Sequence, residues 1–160
     1  MLCTKLTDLN TDCLLHITSF LELGDLLNFE HTCRRMQQIA RMQYRKYAKF
    51  TLLLREENGE SARILSSIGE FIKHLEFSGG FAISRGITER ILTDIVTFCT
   101  NMHMITLRYF TLNSREKAEQ VLLLEKCEAL QVICLQNCDV NKELLEGYDE
   151  LKHLEIRYQE

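Results

Sequence analysis

A short apolar pattern, read as apolar-x-x-apolar-x-apolar, recurs four times in this chain of 160 residues. The copies occupy residues 72–77, 102–107, 130–135 and 151–156, and their starts lie 30, 28 and 21 residues apart. A pattern that repeats at this period is typical of a solenoid, because one small unit buries its apolar face only by stacking on its neighbours. Solenoids commonly bind other proteins along an extended surface, so the repeat favours recognition over catalysis.

The stretches before each copy have the apolar spacing of amphipathic helices. They lie at about residues 64–72, 87–99 and 118–125, with a shorter one at about 141–148. Asn58, Ser114 and Asn141 are predicted N-caps, because their side chains can accept hydrogen bonds from free backbone N–H groups. A helix followed by a short strand, repeated, predicts parallel strands joined by right-handed crossovers.

The copies resemble leucine-rich repeats, in particular the cysteine-containing variety, over about residues 60–158. In that family an Asn or Cys stands three positions after the last apolar residue of a copy. Cys138 matches this position, and Gly80, Phe110 and Gln159 occupy it in the other copies. The resemblance implies an α/β repeat fold, in which residues 51–160 form a small solenoid of about four units with a parallel sheet.

Alternation along each strand assigns the repeat side chains to two faces, because neighbouring strand residues point to opposite sides. The apolar positions, which include Leu154 and Ile156 in the fourth copy, are expected to face the core. The alternates are expected on the concave face: His74, Glu76, Met104, Thr106, Arg108, Val132, Cys134, Gln136, His153, Glu155 and Arg157. We interpret this row as the surface that binds a target protein. An ordinary solvated sheet face is the alternative.

Residues 1–50 have the pattern of three short helices and are predicted to form a separate domain. The expected helices span about 12–21, about 25–33 with Asp25 as cap, and about 34–50. The arc of the first helix predicted to face the core consists of Cys13, Leu14, Ile17, Phe20 and Leu21. Leu15 and Leu27 lie off the apolar arcs of their helices. Because so small a unit buries little core, exposed leucines on it predict a partner.

The same segment resembles an F-box over about residues 6–45. Three blocks carry the resemblance in order: residues 9–21 (LNTDCLLHITSFL), residues 25–27 (DLL) and residues 32–36 (TCRRM). The corresponding family pattern is Leu-Pro-x-Glu with an aliphatic helix ending Ser-aromatic-Leu, then Asp-Leu, then Val-Cys-Arg/Lys-x-Trp. Asn10 therefore stands in place of the proline, and Met36 in place of a large aromatic residue. An F-box followed by leucine-rich repeats is a known arrangement in this family.

The resemblance implies that the first domain docks on the Skp adaptor of a Skp–cullin–F-box ubiquitin ligase, and through it joins a cullin. The implied docking residues are Leu9, Asn10, Leu14, Leu15, Ile17, Leu21, Leu26, Leu27 and Met36. The repeats would then present a substrate protein, and the chain would be a non-catalytic adaptor. The alternative is a leucine-rich-repeat interaction protein whose degenerate F-box no longer joins a ligase.

Charge and apolar content narrow the classes of partner. The chain is acidic overall, with a net charge of −4, and no aromatic platform accompanies the basic run of the third helix. Nucleic acid is therefore not an expected partner. No apolar run is as long as a membrane helix, and the N-terminus has no signal-peptide pattern, so neither a membrane nor secretion is expected.

The cysteines bear on compartment and chemistry. Seven of them, an odd number, lie within apolar patterns. This predicts reduced thiols used as core residues, in the cytoplasm or the nucleus. The spacing of Cys and His residues fits no metal site, and no phosphate loop or other cofactor motif is present. A catalytic pair formed by Cys134 and His153 is a further alternative.

Overall fold

The computed structural model describes residues 5–53, 59–79 and 89–159. The chain divides into two compact units, Met1–Lys46 and Tyr47–Glu160, which we call unit 1 and unit 2. In the described residues, no helix is long and apolar enough to cross a bilayer. Three sequence predictions, the cap at Asn58, the turn position at Gly80 and the helix start at Ile87, lie outside the described residues.

Unit 1 contains the three helices that the sequence predicts. They are α1 (Thr11–Ser19), α2 (Leu23–Glu30) and α3 (Arg34–Gln43). Asn10 caps α1, since its side-chain oxygen accepts a hydrogen bond from the Cys13 backbone N–H at 2.8 Å. The predicted cap at Asp25 is wrong: α2 begins at Leu23, and Asp25 lies in its first turn.

The buried face of α1 differs from the predicted arc. Leu14 and Thr18 are fully buried, whereas Ile17 is 40% exposed and Phe20 is 75% exposed. Thr18 tolerates burial because its hydroxyl donates to the Leu14 carbonyl oxygen at 2.8 Å, so no polar group is left unpaired. The core of unit 1 is a cluster of Leu14, Met36 and Ile39, with Leu9, Leu15 and Phe29 packed against it. The predictions that Leu15 lies outside the core and that Leu27 is exposed are therefore wrong, since Leu15 packs against the core cluster and Leu27 is 3% exposed.

The third helix is shorter than its pattern suggests. The α3 helix ends at Gln43, a 3-10 turn follows at Tyr44–Tyr47, and residues Lys49–Leu53 form a strand, β1. The Ala48 carbonyl oxygen accepts backbone hydrogen bonds from Lys73 and His74, which starts the pairing of this strand with the next. The helix predicted to reach residue 50 is therefore wrong at its end, and the sheet contains a strand before the first predicted copy.

Unit 2 is built on a parallel five-stranded sheet with helices between its strands. After β1 the elements are α4 (Glu60–Ile68), β2 (His74–Ser78), α5 (Glu89–Phe98), β3 (Met104–Arg108), β4 (Thr111–Leu112), α6 (Arg115–Val121), β5 (Val132–Gln136), β6 (Asp139–Val140), α7 (Lys142–Glu146) and β7 (Glu155–Gln159). The main sheet has the order β1-β2-β3-β5-β7, and β4 pairs with β6. Ser114 and Asn141 accept hydrogen bonds from backbone N–H groups of α6 and α7, which confirms them as caps.

The main strands align without stagger. The first residues of the five strands, Lys49, His74, Met104, Val132 and Glu155, are register partners in turn. The second and fourth residues of each strand therefore share one face, and on β2, β3 and β5 that face is almost completely buried. This apolar face and the buried sides of α4, α5 and α6 make up the core of unit 2.

The fourth copy of the apolar pattern is shifted by two residues. Ile156 pairs with Ile133, and Tyr158 pairs with Leu135. Leu154 instead closes the turn before β7, where its N–H donates to the Leu151 carbonyl oxygen at 2.9 Å. The shift is an even number of residues, so it leaves the predicted faces of β7 unchanged.

The turn that follows β3 and the turn that follows β5 have the same backbone form. Tyr109 and Asn137, one residue past the two strands, have positive φ of 60° and 50°. The Tyr109 N–H donates to the Gln136 carbonyl oxygen, and the Asn137 N–H donates to that of Gln159. The Cys138 thiol donates to the Leu107 carbonyl oxygen at 3.2 Å, so the matched cysteine bonds the preceding strand.

We expect Gly69→Ala to destabilise unit 2. A Cβ at Gly69 would lie 2.6 Å from the Phe98 carbonyl oxygen, a backbone atom that cannot move aside easily. The expected loss is about 1–3 kcal/mol in the free energy of unfolding. Gly24→Ala is the control, because nothing lies within 4 Å of its Cβ position; its stability should be unchanged or higher by up to about 1 kcal/mol. Urea unfolding of the two variants tests this, and equal stabilities would contradict the close approach.

Candidate functional site

An apolar stripe is exposed on α1. Cys13, Ile17 and Phe20 follow one another at helical spacing and are all exposed to solvent. The His16 ring packs edge-on against Phe20 with centroids 5.1 Å apart, which holds the phenyl ring at the surface. We call these three residues the α1 stripe. Leu6 and Met42, 47% and 52% exposed, are the other large apolar residues exposed in the described part of unit 1.

The residues predicted to dock on an adaptor are divided between core and surface. Leu14, Leu26, Leu27 and Met36 are at most 3% exposed, so their side chains stabilise unit 1 and have almost no surface to offer a partner. Leu9, Leu15 and Leu21 are half-buried, whereas Asn10 and Ile17 are exposed. Cys13 and Phe20 were assigned to the core by their apolar character, and the structure places them beside Ile17 at the surface.

Hydrogen bonds hold the segment before α1, in which Asn10 replaces the proline of the F-box pattern. Arg35 on α3 donates hydrogen bonds to the carbonyl oxygens of Thr7 and Leu9, which ties the N-terminal turn to the third helix. Asn10 then caps α1, a role that a proline side chain has no acceptor to perform. Met36, in place of the aromatic residue, is fully integrated in the core cluster. Neither departure from the F-box pattern removes the α1 stripe.

The front face of unit 2 is the second candidate surface. We define it by the first, third and fifth residues of the five main strands. These are Lys49, Thr51 and Leu53; His74, Glu76 and Ser78; Met104, Thr106 and Arg108; Val132, Cys134 and Gln136; and Glu155, Arg157 and Gln159. All predicted target-binding residues except His153 lie on it. His153 is exposed in the turn before β7.

Glu76 contacts two cations on the front face. Its carboxylate lies 2.7 Å from the Lys49 ammonium and 3.4 Å from the Arg108 guanidinium, and it accepts a hydrogen bond from Thr51 at 3.2 Å. The hydrogen bond from Lys49 is the main reason that the pKa of Glu76 lies below its usual value. Glu76 therefore stays ionised, and one carboxylate faces two cations.

His74 lies beside this group as a neutral imidazole. Its Nε2 atom is 2.9 Å from the Thr106 hydroxyl, which is itself 5% exposed. Burial, and then the charge of Lys49, lower the pKa of His74 below 6.5. Near neutral pH the imidazole therefore adds a polar contact to the front face and no charge.

Cys134 is unsuited to act as a nucleophile. It is 1% exposed, and burial raises the pKa of its thiol, an effect that Arg157 opposes only in part. Burial likewise raises the pKa of Cys99 to about 12 and that of Cys127 to about 11, as expected for core thiols. Cys13 and Cys33 are exposed, so the prediction of core cysteines is wrong for these two. Within the described residues, no three His, Cys, Asp or Glu side chains are placed to hold a metal ion.

Comparison with known families concerns unit 1. The family model of the F-box domain matches residues 6–47, the segment that contains α1, α2 and α3. Residues 6–47 are an F-box domain. Among curated proteins, none matches the chain. The F-box match thus includes the α1 stripe and the core cluster of unit 1. The parallel sheet of unit 2 lies outside the matched residues, so its description depends on the structure alone.

We expect Leu15→Asp to destabilise unit 1 and Ile17→Asp to leave its stability almost unchanged. Leu15 packs against the core cluster, so a carboxylate there should lower stability by at least about 2 kcal/mol. Ile17 is on the exposed stripe, and its substitution should change stability by no more than about 0.5 kcal/mol. Hydrogen exchange of α1 amides in the full chain measures both effects. An unfolded unit 1 in Ile17→Asp would show that the stripe belongs to the core.

We also expect His74 to make the stability of unit 2 depend on pH. Its folded pKa is below 6.5, so the unfolded chain binds the proton more readily than the folded chain. The contribution is complete above the unfolded pKa and is lost as pH falls below about 6.5 and through the lower folded pKa. Urea unfolding over this range should show a shallower pH dependence in His74→Gln than in the unsubstituted chain. His153→Gln is the control, and an equal flattening there would contradict the assignment.

Proposed function

We propose that this chain is a substrate-recognition subunit of a Skp–cullin–F-box ubiquitin ligase. In this function the F-box domain docks on the Skp adaptor, and unit 2 binds a target protein for ubiquitin transfer by other subunits. The observation that supports it most is the F-box match at residues 6–47 together with an exposed apolar stripe on the first helix of that domain. F-box proteins generally act as non-catalytic adaptors, which fits the protonated, buried Cys134.

The α1 stripe has the chemistry of a helix that docks in an apolar groove. Its three residues project from one side of one helix, the arrangement that such grooves recognise. Burying an aromatic or aliphatic side chain of this kind stabilises a complex by about 1.5–3 kcal/mol. Phe20 and Ile17 therefore offer a partner the largest apolar contacts of the stripe, and an exposed apolar patch of this kind is typical of an interaction site.

Unit 2 supports the target-binding half of the proposal. We interpret it as a leucine-rich-repeat segment, because its strands align without stagger and the turns after β3 and β5 share their backbone form. Cys138, which stands at the Asn or Cys position of such repeats, donates a thiol hydrogen bond to the Leu107 carbonyl oxygen of β3. The front face is continuous across five paired strands and carries charged, polar and apolar side chains, which are properties of a protein-binding surface.

The proposal needs no cofactor, nucleic acid or membrane. Its partners are the Skp adaptor, a cullin reached through it, and a target protein. Free thiols at all six described cysteines are consistent with action in the cytoplasm or the nucleus.

The adaptor half predicts that charges on the α1 stripe abolish docking. Ile17→Asp and Phe20→Asp should each lower the affinity of the full chain for purified Skp adaptor at least tenfold, about 1.4 kcal/mol, because each places a carboxylate in an apolar contact. Leu53→Asp is the matched control, since Leu53 is 48% exposed but lies on β1 in unit 2. Isothermal titration calorimetry measures the three affinities.

Two outcomes would overturn the adaptor half. Equal affinities of all three variants would show that the stripe is not the docking surface. No binding by the folded, unsubstituted chain would favour the alternative, a repeat protein whose F-box domain no longer joins a ligase.

A further inference from the structure

Arg108 is the best-held cation on the front face. Its Nε donates a hydrogen bond to the Gln136 side-chain oxygen at 2.6 Å, which fixes the plane of the guanidinium. One of its terminal nitrogens lies 3.4 Å from Glu76, a long contact. Its side chain is 35% exposed, so part of this fixed guanidinium is open to solvent. A donor group already held in place loses little conformational freedom when it binds a ligand.

The charges around Arg108 are not balanced. Lys49 lies 2.7 Å from one oxygen of Glu76, and Arg108 lies 3.4 Å from the other, so two cations share a single negative charge. Arg157, on β7, forms a bidentate pair with Glu155 at 2.8 and 2.9 Å, and both of these side chains are largely exposed. Because both side chains are exposed, water and salt screen the pair, so Arg157 can exchange its partner.

The front face also differs in sign from the rest of unit 2. Its five charged side chains, Lys49, Glu76, Arg108, Glu155 and Arg157, sum to +1. Residues 47–160 as a whole contain 13 basic and 18 acidic side chains. A positive face on an acidic unit favours a negatively charged partner segment and directs its approach.

We propose that Arg108, with Arg157 as a second cation, binds a carboxylate side chain of an acidic segment in the target protein. This inference rests on the proposed function, because it names the chemistry that the target-binding face recognises. The two arginines lie on the strands either side of β5: Arg157 on β7 is the register partner of Cys134, and Arg108 on β3 is the register partner of Gln136, two residues further along β5. Both guanidinium groups also act on the thiol, since each opposes the rise in the pKa of Cys134 that burial causes.

The charge of the face favours a carboxylate over a phosphate. A surplus of one positive charge is matched by one ionised Asp or Glu. A phosphate group at neutral pH has a charge of about −1.5 to −2 and would lie close to Glu76 and Glu155 as well.

The test uses the full chain and three short peptides that differ at one position. The probes are acetyl-Gly-Val-Glu-Val-Gly-amide and its glutamine and phosphoserine counterparts, titrated by NMR. The glutamate peptide should shift the Nε–Hε resonance of Arg108, and the glutamine peptide should not. Tighter binding of the phosphoserine peptide, by tenfold or more, would overturn the choice of a carboxylate.

Substitutions on the front face should change the affinity for the glutamate peptide in opposite directions. Arg108→Gln should weaken binding of the glutamate peptide by at least about fivefold, whereas Glu76→Gln should strengthen it, because it removes the carboxylate that competes for Arg108. Arg115→Gln is the control for charge, since Arg115 is exposed on α6 and pairs with Glu119. Unchanged or reversed effects at the first two positions would overturn the inference.

A parallel measurement separates this inference from the proposed function. The unsubstituted chain is tested for capture of the Skp adaptor in the same preparation. Capture without a shift at Arg108 refutes the acidic-segment inference alone. A shift at Arg108 without capture supports the anion site and counts against the ligase function.

Discussion

The zero-stagger pairing of the five parallel strands is the constraint on which unit 2 depends. Because every strand begins at the same level, Leu75, Ile105 and Ile133 form one buried row, and Phe77, Leu107 and Leu135 form the next. A slip of one residue in any strand would move these side chains to solvent. The same alignment brings Glu76 between Lys49 and Arg108 on the front face, so the burial of one face determines the charge pattern of the other.

Much of this architecture could be predicted from the apolar spacing. The strands at His74, Met104 and Val132, their parallel order and the caps Ser114 and Asn141 follow from patterns that act locally. The strand at Lys49–Leu53 could not, because its residues continue the helical spacing of α3 and become a strand only through pairing with β2. The shift of the last strand has a related cause. Leu154 and Tyr158 are both at spacings that fit the apolar pattern around Ile156, and it is the pairing with β5 that places Tyr158, not Leu154, in the sheet.

The candidate docking surface could be predicted only in part. The F-box resemblance named Ile17 as a docking residue but spread the other docking residues over residues 9–36, and the spacing of apolar residues put Cys13 and Phe20 in the core. Thr18 reverses that face, since its hydroxyl is paired within its own helix and its methyl group can be buried. A rule that treats threonine as polar cannot foresee this. The front-face residues of β3 and β5 were all predicted, because period-two alternation depends on the strand alone, whereas those of β1 were missed together with the strand itself.

The central claim is that an exposed stripe on α1, and not the core leucines of the F-box, contacts the Skp adaptor. The most direct measurement is a methyl NMR titration of the full chain, labelled at isoleucine δ1 methyl groups, with the adaptor. Ile17 is 40% exposed on the stripe, Ile39 is 3% exposed in the core, and Ile133 lies fully buried in the sheet. The account predicts a large shift or broadening at Ile17, with much smaller changes at Ile39 and Ile133. An unchanged Ile17 resonance in a chain that binds the adaptor would contradict it.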